Sequence, residues 1–284
     1  MMDAIHRFIF EKLAIRGTLV QFGPAWRSMQ AGRDYPAVAR DLLGQMATVT
    51  ALIGSNLKTP GRISFQIRGN GAINLLVVDC DESLRLRGMV KTQAAPPADA
   101  TLTDLLGDAQ LVLTLQTHGT PQPYQSIVPM EGNTVATMLS HYLSQSEQQP
   151  TALWLAVDEA HACGLFLQRL PEHPVRDEDG WNRVTRLAET VRDIELALPP
   201  ETLLGHLFAE EDVRLFKPRT LCYHCPRDEA KVRDMLRSLG RDEIASIVAE
   251  HGSVVIQDDI CNHEYRFGPG IVDELFPPAP RTLH

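Results

Sequence analysis

Residues 63–78, ISFQIRGNGAINLLVV, indicate the fold class of the chain. Every second residue from Ile63 to Ile67 is apolar, which is the period of a strand with one buried face. Gly69-Asn70-Gly71 is a strong turn signal, and the apolar run from Ile73 to Val78 resumes as a second strand. The stretch therefore predicts a β-hairpin in the first half of the chain.

The flanking sequence adds helices and strands to this hairpin. Pro36 precedes an apolar stripe at helical spacing from Val38 to Leu52, and residues 111–115 and 124–128 predict a second hairpin. The start of the chain fits one helical face, formed by Ile5, Phe8, Ile9 and Leu13. Together these patterns predict an α+β fold that begins with a mixed α/β domain.

A change of composition at residues 171–180 predicts the exit from that domain, because the stretch is charged and interrupted by prolines. Two amphipathic helices follow. Their apolar stripes are Trp181, Val184, Leu187, Val191 and Ile194, and then Leu203, Leu204, Leu207 and Phe208. These stripes either pack on the first domain or form a movable apolar linker. We predict three parts: an N-terminal α/β domain (1–172), a helical linker (173–217) and a C-terminal cysteine-containing domain (218–284).

Charge and hydropathy exclude some classes of protein. The 284 residues carry a net charge of −9, which argues against a generic nucleic-acid binder. Apolar runs fall far short of the roughly 20 residues that a membrane span needs. The N-terminus lacks the basic region and apolar core of a secretory signal, so we expect a cytoplasmic protein with reduced thiols.

Three of the five cysteines fall within 40 residues near the C-terminus. Cys222 and Cys225 form a C-x-x-C pair, and Cys261 follows at the turn of a predicted hairpin. Thiolates at such spacing can hold one edge of a tetrahedral zinc ion. Asp258, three residues before Cys261, is the predicted fourth ligand, with His224 and His263 as rivals.

A thiol-disulfide oxidoreductase that uses Cys222 and Cys225 is the alternative. Pro226 is the predicted start of a helix, and a thiolate at a helix N-terminus has a lowered pKa. The βαβ context of a thioredoxin-like motif is missing before the pair. We therefore expect that the chain is not an enzyme.

The chain resembles the redox-regulated 33 kDa heat-shock chaperone family, also called 33 kDa chaperonins. Many stretches carry the resemblance, and they occur in the order and at the spacing found in that family. The resemblance runs from about His6 to Phe276. Its main carriers are His6-Arg7-Phe8-Ile9-Phe10, Gly69-Asn70-Gly71, Gly164-Leu165-Phe166-Leu167-Gln168 and Cys225-Pro226-Arg227-Asp228-Glu229.

This resemblance implies a stress-response holdase that binds unfolding client proteins without ATP, often as a homodimer, with no nucleic-acid or membrane partner. It implies that four thiolates bind zinc when reduced, and that oxidation forms two disulfides, releases zinc and unfolds the zinc domain and linker. Clients would then bind exposed apolar surface that includes the linker stripe of Trp181, Val184, Leu187, Val191 and Ile194.

The chain departs from the family pattern at this switch. Cys225 and Cys261 match family cysteines, Cys222 is displaced by one residue, and Asp258 replaces the fourth thiol. We predict a degenerate site with zinc bound by Cys222, Cys225, Asp258 and Cys261. On oxidation we expect a Cys222–Cys225 disulfide and no neighbouring thiol for Cys261.

Overall fold

The computed structural model describes residues 3–57, 59–97, 99–120, 122–171, 177 and 179–277. Its contacts divide the chain into two compact units, with the division between His224 and Cys225. The predicted boundary after residue 172 lies outside the described residues. The described part of the predicted linker belongs to the first unit. No helix among the described residues has both the length and the hydropathy needed to span a membrane.

The first unit contains two sheets and the helices that pack on them. Its strands are β1 (Ala4–Phe10), β2 (Ile15–Phe22), β3 (Gly61–Arg68), β4 (Ile73–Cys80), β5 (Arg85–Thr92), β6 (Gln110–Thr117), β7 (Tyr124–Val128), β8 (Thr151–Val157), β9 (Ala162–Arg169), β10 (Val213–Leu215), β11 (Arg219–Thr220) and β12 (Cys222–Tyr223). Its helices are α1 (Pro24–Gln30), α2 (Ala37–Ser55), α3 (Leu102–Leu106), α4 (Val135–Glu147), α5 (Gly180–Ala188), a 3₁₀ helix (Asp193–Ala197) and α6 (Pro200–Leu207).

The first sheet is antiparallel, in the order β10-β1-β2-β9-β8, and β11 also pairs with β1. The central strands β2 and β9 are buried at nearly every position. Successive residues of a strand point to opposite faces, so this burial means that both faces of the sheet are covered.

The helix predicted at the start of the chain is wrong, because these residues form β1. Ile5 packs in the core on one face of the sheet, and Phe8 and Phe10 pack in the core on the other. A strand covered on both faces carries apolar residues at odd and even positions. That pattern gave this stretch a spacing that resembles the helical period.

The second sheet has the order β12-β5-β4-β3-β6-β7 and is antiparallel except for the parallel pair of β12 and β5. Both predicted hairpins are confirmed, since β3 pairs with β4 and β6 with β7. The helix predicted after Pro36 is confirmed as α2, which contacts strands of both sheets and is largely buried. The mixed α and β fold class is therefore confirmed.

The second unit consists of α7 (Glu229–Leu239), α8 (Arg241–His251), β13 (Val254–Asp258), β14 (His263–Phe267) and α9 (Ile271–Leu275). The hairpin predicted around Cys261 is confirmed as β13 and β14, and α7 and α8 end before Gly240 and Gly252. The helix start predicted at Pro226 is wrong, because the Asp228 side chain caps the helix by accepting from the Lys231 N–H. The unit has its own apolar core, formed by Leu236, Ile244, Val254, Tyr265, Phe267, Ile271 and Leu275.

Candidate functional site: an apolar sheet face and a cysteine hairpin

One face of the first sheet is apolar and lies beneath the helices that follow it in sequence. This surface, the covered face, consists of Phe8, Phe10, Ile15, Leu19, Cys163, Leu165 and Leu167. The segment on top of it, the cover, is residues 180–208, which contain α5, the 3₁₀ helix and α6. It contributes the buried side chains Val184, Ala188, Leu196, Leu203, Leu204, Leu207 and Phe208. Burial of each large apolar side chain contributes about 1.5–3 kcal/mol, so the two surfaces hold each other mainly by the hydrophobic effect.

Aromatic packing joins the end of the cover to β1. The ring of Phe208 lies edge-on to Phe10, with ring centroids 5.0 Å apart, and its centroid is 6.4 Å from that of Phe8. The Phe8 ring in turn lies against Gly17 of β2, where it occupies the space that a Cβ atom would take. Gly17 is thus required for Phe8 to lie close to the sheet and leave room for Phe208.

Gln21 is the buried polar residue that fastens the cover to the sheet. Its side chain is 2 % exposed, and Nε2 donates to the carbonyl oxygens of Leu196 at 2.7 Å and Leu198 at 2.8 Å. Sequence analysis missed both Gln21 and Leu196. The signal for Gln21 was present, because a glutamine inside the apolar run of residues 19–22 needs a partner when buried.

Ion pairs also lie along the cover. Arg183 donates to Glu211 and to Asp177, at 2.7 Å each, and these bonds raise the pKa of Arg183 and lower that of Asp177. Hydrogen bonds from Arg192 lower the pKa of Glu195 to about 2. The two arginines and Asp177 are open to water, whereas the Glu211 carboxylate is only 10 % exposed. Water therefore screens most of this attraction, and the pairs add little to the stability of the cover.

The predicted linker stripe lies only partly against the covered face. Val184 is buried, and Trp181, Leu187 and Val191 are partly buried against the same core. Ile194 is 79 % exposed, so its predicted place on this face is wrong. The reason is that α5 ends at Ala188, and the 3₁₀ helix that follows turns Leu196 inward in place of Ile194.

Two cysteines of the second unit form a disulfide, Cys225–Cys261, with their Cα atoms 5.5 Å apart. Cys261 lies in the turn between β13 and β14, where Asp258 Oδ1 accepts the N–H groups of Ile260 at 2.9 Å and Cys261 at 3.2 Å. His263 Nε2 donates to the carbonyl oxygen of Cys225 at 2.8 Å. We call residues 225–228 and 258–265 together the cysteine hairpin.

Cys225 lies next to Cys261 and not next to Cys222 in this structure, and a Cys222–Cys225 disulfide after oxidation stays a prediction. Cys222 is an exposed free thiol in the first unit, on a strand where its N–H donates to the Leu84 carbonyl at 3.1 Å. The backbone of His224 is held in the same way, by a 2.8 Å bond to Leu86. Strand pairing thus holds the first cysteine of the C-x-x-C motif in the edge of the second sheet.

The three predicted zinc ligands of the second unit, Cys225, Asp258 and Cys261, have other partners in this arrangement. Within the described ranges, no cluster of three or more His, Cys, Asp or Glu side chains is placed to hold a metal ion. The sulfurs of Cys225 and Cys261 bond to each other, and the Asp258 carboxylate accepts backbone N–H groups of its own turn. Zinc binding by the reduced chain stays a prediction.

Comparisons with known proteins show the family. The sequence model described as Hsp33 protein matches residues 3–268. The chain belongs to the Hsp33 family. It is 38 % identical to a 33 kDa chaperonin of Methylobacillus flagellatus over 96 % of this chain and 94 % of that protein. It is 40 % identical to one from Nitrosococcus oceani, again over 96 % and 94 % of the two chains. The resemblance stated from the sequence is confirmed.

A crystal structure of the 33 kDa chaperonin of Thermotoga maritima has the same fold. It superposes with a TM-score of 0.80, at 20 % sequence identity, over 96 % of this chain and 97 % of that one. Membership of the Hsp33 family supports a chaperone role for this chain.

The oxidoreductase alternative finds no support in the arrangement of its two cysteines. Cys225 is bonded to Cys261, and α7 begins at Glu229, four residues after Cys225. The remaining cysteines, Cys80 and Cys163, are buried, and burial raises the pKa of each thiol to about 12. Such thiols stay protonated and act as small packed residues.

Proposed function

We propose that this member of the Hsp33 family is a holdase that binds unfolding proteins without ATP and prevents their aggregation. The observation that carries the proposal is the covered face, an apolar sheet surface whose cover is itself apolar on the inner side. When the cover leaves, both surfaces face water. Large contiguous apolar patches of this kind are typical of surfaces that bind other proteins.

The construction of the cover supports its release. α5 has 9 residues, the 3₁₀ helix 5 and α6 8, and isolated helices of this length are marginal in water. The cover therefore depends on its contacts with the sheet to keep its structure. Conditions that loosen those contacts, heat above all, would release and unfold it together.

ATP independence rests on the sequence, which contains no G-x-x-x-x-G-K-[ST] phosphate loop. Release of the cover needs no nucleotide chemistry, because the stability of a short packed segment changes with temperature and with client concentration. The partners in this proposal are unfolded or partly unfolded proteins. A cytoplasmic location, a homodimer and the absence of nucleic-acid and membrane partners stay predictions.

Redox control through Cys222, Cys225 and Cys261 is also part of the proposal. Zinc bound by Cys222, Cys225, Asp258 and Cys261 stays a prediction for the reduced chain, in which the two bonded sulfurs become available. Asp in place of a thiolate would weaken such a site, since zinc favours sulfur ligands of this kind. Zinc content per chain, measured after purification in reductant without chelator, tests this prediction.

The test of the holdase proposal compares two substitutions in one short helix. Leu196→Ala removes a buried side chain of the cover, and Ile194→Ala removes an exposed one two residues away. A buried Leu→Ala change costs about 2–5 kcal/mol, so the first variant should release the cover at a lower temperature. Light scattering by a thermally unfolding client, without ATP, measures the outcome.

We expect wild type and Ile194→Ala to suppress scattering at the same temperature and Leu196→Ala to do so several degrees lower. The proposal fails if none of the three suppresses scattering at a few-fold excess over client, including after heating. It also fails if suppression requires added ATP.

A further inference from the structure

The extended segment that follows the cover lies along the edges of both sheets. We call this segment, residues 212–224, the strap. Its first two strands, β10 and β11, pair antiparallel with β1, and its third, β12, pairs with β5. Leu221, between β11 and β12, is 1 % exposed and belongs to an apolar core of the first unit. The strap therefore occupies one edge of each sheet, and without it β1 and β5 become edge strands.

The backbone of the strap is bonded to β1. The Phe216 N–H donates to the Arg7 carbonyl at 2.9 Å. In an antiparallel ladder, successive residues direct their backbone groups alternately toward and away from the partner strand. Arg214, two residues before Phe216, therefore has its N–H directed toward β1. Val213 and Leu215 have theirs directed away from it.

The side chains of β10 alternate in the same way. Val213 and Leu215 are partly buried against the core of the covered face. Arg214 is exposed and forms an ion pair with Glu11 at 2.8 Å, which contributes little because both groups are open to water. β1 thus holds the strap by main-chain bonds and by an apolar side chain at every second position. Many extended segments share these features.

The strap uses β1 incompletely. Three residues of β10 and two of β11 pair with five of the seven residues of β1. Residues 216–218 separate the two short strands, and Pro218 has no N–H to donate. A continuous strand can pair with all seven residues. The chain's own strand is therefore a weaker partner for β1 than an uninterrupted one.

We propose that the β1 edge binds extended segments of unfolding client proteins, which add to the first sheet as a strand in place of the strap. The strap shows the chemistry that this edge accepts, because it is the chain's own occupant. Strand addition draws its affinity from main-chain bonds and so tolerates many sequences. The site continues the covered face, to which Phe8 and Phe10 of β1 belong. This inference rests on the proposed holdase function and states how a client is recognised.

The test uses the full-length protein and a fluorescein-labelled peptide of residues 211–221 as the probe. Two doubly N-methylated forms of the peptide keep every side chain. Methyl groups on the Arg214 and Phe216 amides remove donors that face β1, and methyl groups on the Val213 and Leu215 amides remove donors that face away. By fluorescence anisotropy, we expect the second form to bind within about twofold of the unmodified peptide and the first to bind about tenfold or more weakly, because only the first loses main-chain bonds.

The peptide reaches β1 only after the strap has left, so the temperature of binding is a second readout. Leu221→Ala weakens the buried anchor of the strap and should bind the peptide at a lower temperature than wild type. Phe216→Ala also removes a large apolar side chain, but one that is 40 % exposed, and should bind it at the wild-type temperature. Hydrogen exchange of residues 213–223 reports release of the strap.

Equal binding of the two methylated peptides would overturn the inference, because side chains alone would then explain the binding. Absence of binding once hydrogen exchange shows that the strap is released would also overturn it, as would a strap that stays protected until the whole first unit unfolds. Suppression of client aggregation is measured separately by light scattering. A failed peptide test with suppression intact contradicts only the strand-addition site, whereas absence of suppression contradicts the holdase proposal.

Discussion

The side chain of Gln21, on a central strand of the first sheet, donates a 2.7 Å hydrogen bond to the carbonyl oxygen of Leu196 in the cover. A second bond reaches the carbonyl of Leu198 at 2.8 Å. The two residues are 175 positions apart in sequence, and the bond is buried. This contact makes the position of the cover specific, since apolar packing alone would tolerate small shifts along the sheet.

Gln21→Leu should loosen the cover, because the buried carbonyl of Leu196 and the partly buried carbonyl of Leu198 lose their donor. Leaving such groups unpaired costs about 1–3 kcal/mol each at most. We expect faster hydrogen exchange across residues 193–198 and suppression of client aggregation at a lower temperature than in wild type.

Gln93→Leu is the matched control for this change. The Gln93 side chain also donates to two backbone carbonyls, those of Asn70 and Gly71, but in an exposed position. It should leave exchange of the cover at the wild-type rate. Equal effects of the two substitutions would show that Gln21 has no special part in holding the cover.

His6 should make the cover sensitive to acid. It lies two residues before Phe8 on β1, on the same side of the strand. Burial lowers its pKa, and Glu201 of α6 partly offsets the effect. A lowered folded pKa means that the stabilising contribution is present above the unfolded pKa of about 6.5 and is lost as the pH falls below it.

We therefore expect the free energy of unfolding to decrease between pH 7 and pH 5 by more in wild type than in His6→Gln, which cannot be protonated. Urea unfolding at the two pH values measures the difference. Identical pH dependence in the two proteins would contradict a role for His6.

Sequence patterns predicted the elements whose apolar residues follow one period. They failed where a segment is buried on two faces or where its helix is interrupted. The β3–β4 hairpin is buried on one face, so its alternation was plain. β1 is buried on both faces, and its pattern resembled a helix. The cover contains a 3₁₀ helix after α5. Extending the α-helical period through it therefore placed Ile194 on the buried face and missed Leu196.

The sequence identified the cysteines of the candidate site but not the contacts that each of them makes. Cysteine spacing selected Cys222, Cys225 and Cys261 as the candidate residues. It did not show that the edge of the second sheet holds Cys222 by backbone pairing with β5. Nor did it show that the turn of β13 and β14 brings Cys261 to Cys225. Both facts depend on contacts between residues far apart in sequence, which local spacing does not report.

Gly17→Ala should weaken the contact between cover and sheet from the sheet side. A Cβ at this position would meet the ring of Phe8, which packs against Phe10 and Phe208. Overpacking of this kind costs about 1–3 kcal/mol. Thermal unfolding followed by circular dichroism should show a lower midpoint, and a midpoint at or above that of wild type would contradict this packing.

Gly205→Ala should have the opposite effect, although it is the same substitution in the same unit. Gly205 lies inside α6, and a Cβ added there has no neighbouring atom within 4 Å. Alanine favours a helix over glycine by up to about 1 kcal/mol, so α6 should become more stable without any new contact. If release of the cover exposes the binding surface, Gly205→Ala must delay it, and client aggregation should be suppressed only at a higher temperature than in wild type. Hydrogen exchange of α6 shows whether the variant has the more stable helix. If exchange is slower and the activation temperature is unchanged, the stability of the cover does not control activity, which would contradict the proposed release.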